Sequence, residues 1–147
     1  MNIIRITKEF RYEGAHALMG YDGKCRHIHG HSYVLHVTVC GAPAQDCHCA
    51  KDGMLMDFTD LKAIVNRNII EHFDHALVIR RDAPLAKELC NEYKNVVTVD
   101  FQPTCENLII HFARILTENL PEGVRLHHLR LYETATSFVE WYAEDNR

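Results

Sequence analysis

The chain has 147 residues, 47% hydrophobic and 24% charged, which fits one compact domain over residues 1–147 and excludes a disordered chain. The formal net charge of −4 excludes a general electrostatic attraction to nucleic acid or anionic lipid, and no uninterrupted apolar run is long enough to span a bilayer. Charge appears too early in the N-terminal segment for a secretory signal. We therefore expect a cytoplasmic protein whose six cysteines are thiols rather than a disulfide framework.

Two long strands are predicted in the first third of the chain. Apolar and polar residues alternate over residues 4–16, which indicates a half-buried strand. A loop containing two glycines follows over residues 17–28, and a second alternating strand runs over about 29–40. Because one loop joins the two strands, we expect them to pair antiparallel.

The remaining elements lead to an α+β domain. In chain order they are a helix from Asp57 to about residue 75, a short helical turn within 80–93, a strand over 96–101, a helix opening at Pro103-Thr104 and ended by Pro121 and Gly123, and two strands over 125–133 and 136–142. That order predicts an antiparallel sheet with two helices on one face.

Three histidines form a candidate metal site. His29 and His31 flank Gly30 at the start of the second strand, and residues two apart in a strand point to the same face. The antiparallel pairing brings His16, at the end of the first strand, to the same edge. Three imidazoles with one open position are typical of catalytic zinc. The alternative is that three surface histidines happen to share a strand end.

Four other side chains carry candidate chemistry, each with a simpler alternative. Cys25 could be an acid, base or nucleophile beside the metal, an ordinary loop thiol, or a fourth ligand that makes the site structural. Asp74 and His75 could form a general-base pair or a polar helix terminus. Glu133 shares the apolar side of its strand and could accept two parallel N–H donors, or form a structural salt bridge.

Two other patterns give weaker evidence of function. Cys47-His48-Cys49 has no matching ligand pair at a convincing distance, so we expect a plain loop there. A zinc hydrolase is disfavoured because no His-Glu-x-x-His helix accompanies the histidines.

Taken in order along nearly the whole chain, the motifs resemble those of the 6-pyruvoyl-tetrahydropterin synthase family, which includes bacterial 6-carboxy-5,6,7,8-tetrahydropterin synthases. The motifs that carry the resemblance are Phe10 to His16, Cys25-x-x-x-His29-Gly30-His31-Ser32-Tyr33, Met56-Asp57-Phe58-x-x-Leu61-Lys62, Phe73-Asp74-His75-x-Leu77, Pro103-Thr104-x-Glu106-Asn107 and Leu131-Tyr132-Glu133-Thr134.

The resemblance implies the tunnelling fold, in which subunit sheets join into a barrel, and a cytoplasmic homohexamer made as a dimer of trimers. It implies 7,8-dihydroneopterin triphosphate as the substrate. The three residues between Cys25 and His29 resemble the carboxy-forming bacterial lyases of queuosine biosynthesis, which yield 6-carboxy-5,6,7,8-tetrahydropterin, acetaldehyde and triphosphate. The alternatives are 6-pyruvoyl-tetrahydropterin synthase, which retains the side chain, and a non-catalytic zinc-binding module.

The resemblance also implies the site residues, in three groups. These are the Zn²⁺ ligands His16, His29 and His31, the catalytic residues Cys25, Asp74 and His75, and the substrate-binding residues Glu133, Thr104 and Glu106. By position only, Lys24, Arg26 and His27 are candidates for contacting the triphosphate.

Overall fold

A computed structural model describes residues 1–45 and 47–147. The strands are β1 (Ile4–His16), β2 (His29–Gly41), β3 (Ala76–Arg80), β4 (Val96–Val99), β5 (Arg125–Thr134) and β6 (Ser137–Tyr142). The helices are α1 (Phe58–Val65), α2 (Glu71–Phe73), α3 (Ala86–Glu92) and α4 (Cys105–Asn119), with a π-helical segment, Asn66–Ile70, between α1 and α2. Among the described residues, none of the helices has the length and apolar character needed to cross a membrane.

The six strands form one sheet in the order β4-β3-β1-β2-β5-β6. The long β1 and β2 pair antiparallel along their whole length, from Ile4 opposite Gly41 to His16 opposite His29. The predicted strand pair and its consequence for the histidines are therefore confirmed. β5 and β6 continue the sheet in antiparallel register.

The sheet is mixed rather than wholly antiparallel, which corrects one part of the prediction. β3 lies parallel to β1, with Gly14 opposite Ala76, and β4 lies parallel to β3. The predicted helical region ends near residue 75, and the sequence pattern does not predict β3. It is a five-residue strand with four apolar residues, and two residues separate it from the end of α2. A run this short cannot be assigned to strand or helix from periodicity alone.

Two side-chain caps fix where the helices begin. Asp57 accepts a hydrogen bond from the Thr59 N–H at 2.7 Å and starts α1. Thr104 accepts one from the Asn107 N–H at 3.2 Å and starts α4. The Asp57 cap and the start of α4 after Pro103-Thr104 lie where the sequence predicts them, and short polar side chains satisfy N–H groups that a helix leaves unpaired.

The core lies between the helices and one face of the sheet. Residues at alternate positions of β1 and β2, such as Phe10, Tyr12, Leu35 and Val37, are buried against α1 and α4. The α+β class and the helices on one face are thus confirmed. His16 is buried on this same face at the end of β1, so the start of α4 covers the histidine edge of the sheet.

Candidate metal centre and catalytic site

His16, His29 and His31 meet at the edge where β1 ends and β2 begins. Each offers one ring nitrogen, and these atoms all lie within 4.8 Å of one another. The ring centroids are 4.6 Å apart for His16 and His29, 5.2 Å for His16 and His31, and 4.9 Å for His29 and His31. Strand register alone produces this cluster, because His16 is the direct partner of His29.

Backbone carbonyls fix the tautomers of two of these rings. The Nδ1–H of His16 donates to the Pro103 carbonyl at 2.7 Å, and the Nδ1–H of His29 donates to the His27 carbonyl at 2.7 Å. In neutral rings the Nε2 atoms then carry lone pairs, yet these two nitrogens lie only 3.0 Å apart. Two facing lone pairs repel unless a cation lies between them, and metal-binding histidines are commonly oriented through their second nitrogen in this way.

The third ring completes a donor set that fits zinc. His31 Nε2 is buried and has no hydrogen-bond partner among the described residues, because its 3.7 Å distance to Glu133 Oε1 is too long. Burial lowers the pKa of His16 and of His31, which outweighs the opposing charge of Glu133. Neutral imidazoles are the form that binds metal, so the three nitrogen donors fit a three-histidine zinc centre.

Cys25 lies outside this group of three. It occupies a one-turn 3-10 helix, Lys24–Arg26, and its thiol is free and partly buried. The Cys25 carbonyl accepts the Leu18 N–H at 3.0 Å, which ties the two ends of the loop together. The same turn leads directly into His27, whose carbonyl orients His29. The thiol therefore sits on a loop whose geometry is coupled to the histidine cluster.

Asp74 and His75 contact each other on the turn between α2 and β3. The Asp74 Oδ1 lies 3.0 Å from His75 Nδ1 and also accepts the Glu13 N–H at 2.9 Å. His75 has a left-handed backbone with φ of 57°, a conformation that costs free energy in a non-glycine residue. Its N–H donates to the Glu13 carbonyl, so the turn is attached to β1 at two points.

These contacts keep the Asp74 carboxylate ionised. The Glu13 N–H is the largest cause that lowers the pKa of Asp74, and His75 adds to it. The His75 side chain is 73% exposed, so its Nε2 is accessible to a ligand while its Nδ1 faces Asp74. That is the arrangement of an imidazole base held by a carboxylate.

An open cavity of about 950 Å³ adjoins the histidine cluster and the turn that carries His75. His31 and His75 line it together with Glu13 and Ser32 at the ends of β1 and β2. Its other wall is largely apolar, built from β3, β4 and α3 by Leu77, Leu89, Tyr93 and Val96. The cavity has the size of a small-molecule site.

Glu133 lies on β5 next to the histidine cluster. Its carboxylate is 3.7 Å from His31 Nε2, and 28% of its side chain is exposed. The carboxylate charge contributes to raising the pKa of the Cys105 thiol to about 12, after burial. Glu133 therefore presents a partly accessible carboxylate beside the candidate metal ligands.

Comparison with known proteins decides the family. The profile described as 6-pyruvoyl tetrahydropterin synthase matches residues 5–144. A 6-carboxy-5,6,7,8-tetrahydropterin synthase from Haemophilus influenzae is 36% identical over 145 residues, which cover 95% of this chain and 99% of the relative. The chain belongs to the 6-pyruvoyl tetrahydropterin synthase family.

Two further similarities extend across this family. A 6-pyruvoyl tetrahydrobiopterin synthase from Dictyostelium discoideum is 34% identical over 122 residues, covering 83% of this chain and 76% of the relative. The solved structure of Caenorhabditis elegans 6-pyruvoyl tetrahydropterin synthase covers 97% of both chains with a TM-score of 0.69 and 22% identity. The latter likeness confirms the tunnelling fold of the single chain.

Thr104 and Glu106, which we expect to bind substrate, lie at the start of α4. The Thr104 hydroxyl caps α4. Glu106 is exposed in the first turn of α4 and lines a depression formed with Trp141 and Tyr142 on β6, not the cavity shared by His31 and His75.

The Cys47-His48-Cys49 segment is a surface loop, as predicted, but its cysteines are joined. The structure places a disulfide between Cys47 and Cys49, whose Cα atoms are 5.2 Å apart. The expectation that every cysteine is a free thiol is wrong for this pair, because two residues separated by one position already satisfy the distance a disulfide needs. The other four cysteines are free.

Sequence reasoning missed the residues that hold the site together. Gln102 accepts the Met19 N–H at 3.2 Å and donates to the Met19 carbonyl at 2.7 Å, which clamps the loop carrying Cys25 onto the segment before α4. The next residue, Pro103, supplies the carbonyl that orients His16. A glutamine between two elements carries no sequence signal for this role, and a backbone carbonyl carries none at all.

Proposed function

We propose that this chain is a zinc-dependent lyase that converts 7,8-dihydroneopterin triphosphate and water to 6-carboxy-5,6,7,8-tetrahydropterin, acetaldehyde and triphosphate. The observation that carries the proposal is the cluster of His16, His29 and His31, with two tautomers set by carbonyls, in a chain 36% identical to a relative named for that product. Zinc bound there would supply a Lewis acid for the side-chain hydroxyls of the substrate.

The chain's own residues then divide the proton transfers. Cys25 takes and returns protons at the side-chain carbons of the substrate. His75 acts as the second base through its exposed Nε2, and Asp74 holds the ring and stabilises its protonated form. The 3.0 Å contact between Asp74 and His75, and the ionised state of Asp74, support that assignment.

Glu133 orients the substrate. Its two carboxylate oxygens can accept the amino group and the ring N–H of a pterin, which are parallel donors like those of a guanidinium. Its position 3.7 Å from His31 supports a substrate that spans from the ring anchor to the metal. Thr104 and Glu106 are proposed as weaker contacts of the ring. The Thr104 hydroxyl caps α4, so its backbone would make the contact, and Glu106 would reach the ring only in the assembled oligomer.

We also propose that residues 1–147 act as one cytoplasmic domain that assembles into a homohexamer. The strands at the two edges of the sheet are β4 and β6, and their unpaired backbone groups favour pairing with another copy. Six chains of 17.0 kDa give about 102 kDa, which sedimentation analysis would detect.

The deciding experiment is product identification. Zinc-loaded protein is incubated with 7,8-dihydroneopterin triphosphate, and all products are identified by mass spectrometry. Acetaldehyde and a 6-carboxy product support the proposal. A product that retains its side chain would show a 6-pyruvoyl-tetrahydropterin synthase, the alternative favoured by the Dictyostelium relative, and no turnover would favour a non-catalytic zinc-binding module.

A further inference from the structure

Two buried tyrosines pack against the histidine cluster, and the proposed mechanism uses neither. Tyr12 on β1 and Tyr33 on β2 are register partners, 3% and 2% exposed. Their rings stack with centroids 4.8 Å apart, and the Tyr33 ring lies 5.6 Å from that of His31. Gly14 makes room for the pair, because a Cβ at this position would lie 3.1 Å from both tyrosine rings.

Neither tyrosine hydroxyl has a hydrogen-bond partner among the described residues, although both oxygens are closed to solvent. Buried hydroxyls are normally paired, because an unpaired one keeps the full cost of losing its water. Among the described residues, one further buried side-chain atom has no hydrogen-bond partner. It is His31 Nε2, which would bind a metal. The two tyrosine hydroxyls need a partner of their own.

Glu133 completes a row with the tyrosines. β2 pairs with β5 up to Val34 opposite Tyr132, and Tyr33 and Glu133 are the next residues along these two strands. Tyr12, Tyr33 and Glu133 therefore lie on three adjacent strands. Neutral phenols donate hydrogen bonds, so both hydroxyls are donors on β1 and β2, and β5, which lies next to β2, carries the Glu133 carboxylate.

We propose that the hydroxyls of Tyr12 and Tyr33 donate to one buried water molecule, which in turn donates to the Glu133 carboxylate and positions it for the N–H groups of a ligand ring. Buried water commonly makes two to four hydrogen bonds to groups of this kind. The identity of the ring rests on the proposed function. The tyrosines are thus positioning residues that act through Glu133.

Tyrosine-to-phenylalanine variants test the positioning role, since they remove one hydroxyl and keep the ring. Tyr12→Phe and Tyr33→Phe should each bind free pterin about tenfold more weakly in a fluorescence titration and unfold at a lower temperature, with zinc content unchanged. Tyr132→Phe is the matched control, because its hydroxyl contacts Arg130 at 3.4 Å, and it should bind pterin like the wild type. Unchanged pterin affinity, or a raised unfolding temperature, in both test variants would overturn the proposal.

A crystal structure at high resolution tests the water without any ligand. Density within about 3.2 Å of both hydroxyl oxygens and of a Glu133 oxygen supports the relay, and its absence there overturns it. The wild-type protein could show this water but neither bind pterin nor turn over 7,8-dihydroneopterin triphosphate. That result would contradict the proposed function and would still support the buried water.

Discussion

Removing the metal should lower the unfolding temperature of this protein by several degrees. Without a cation, the Nε2 atoms of His16 and His29 face each other at 3.0 Å while carbonyls hold both Nδ1–H groups. The histidine edge of β1 and β2 is then strained by two opposed lone pairs. Zinc that binds only the folded chain relieves this repulsion and stabilises the native state.

The size of the effect follows from mass action. At a free zinc concentration one hundred times the dissociation constant, binding to the native state contributes about 2.7 kcal/mol. For a chain of about 150 residues, each kcal/mol shifts the unfolding temperature by about 2–4 °C. The zinc-loaded protein should therefore unfold about 5–11 °C above the chelated one.

The assay is thermal unfolding followed by circular dichroism, with zinc and with chelator. His29→Ala should abolish the zinc-dependent shift because it removes one of three ligands. His72→Ala should keep the full shift, since this histidine is exposed on α2 and lies outside the ligand group. An equal shift in His29→Ala, or none in the wild type, would refute the assignment of the site.

Three further predictions test the surrounding residues. Cys25→Ala should keep one zinc per chain by elemental analysis yet release acetaldehyde at least about 100-fold more slowly; loss of zinc would instead make Cys25 a ligand. Gln102→Leu should break both hydrogen bonds to Met19 and speed amide exchange in residues 17–28, and unchanged exchange would show that this clamp does not hold the loop. The pKa of Asp74 is lowered by folding, so its carboxylate stabilises the native state at neutral pH and loses that effect as the pH falls through the acid range. Asp74→Asn should therefore lower the urea midpoint at pH 7 and not at about pH 2; an equal loss at both would contradict this.

The histidine cluster could be predicted because it depends on local pattern. Alternation defined β1 and β2, a single loop implied antiparallel pairing, and the pairing brought His16 to His29. The N-caps Asp57 and Thr104 were predictable for a similar reason, since a short polar side chain ahead of an apolar period marks a helix start.

The rest depends on contacts between distant segments, which no local pattern reports. β3 owes its place to parallel pairing with β1 and β4, so a five-residue run gave no signal of its own. Likewise, the carbonyls of His27 and Pro103 that set the histidine tautomers come from backbone positions, where residue type is uninformative. The Glu13 contacts that hold the turn at Asp74 are of the same kind.

The most direct test of the account is the coordination of zinc in the loaded protein, measured by X-ray absorption at the zinc edge. The structure predicts three imidazole nitrogens at about 2.0–2.1 Å, at least one additional oxygen ligand from solvent, and no sulfur. A sulfur ligand at about 2.3 Å, or a shell closed by four protein atoms, would contradict a metal centre built to accept a substrate.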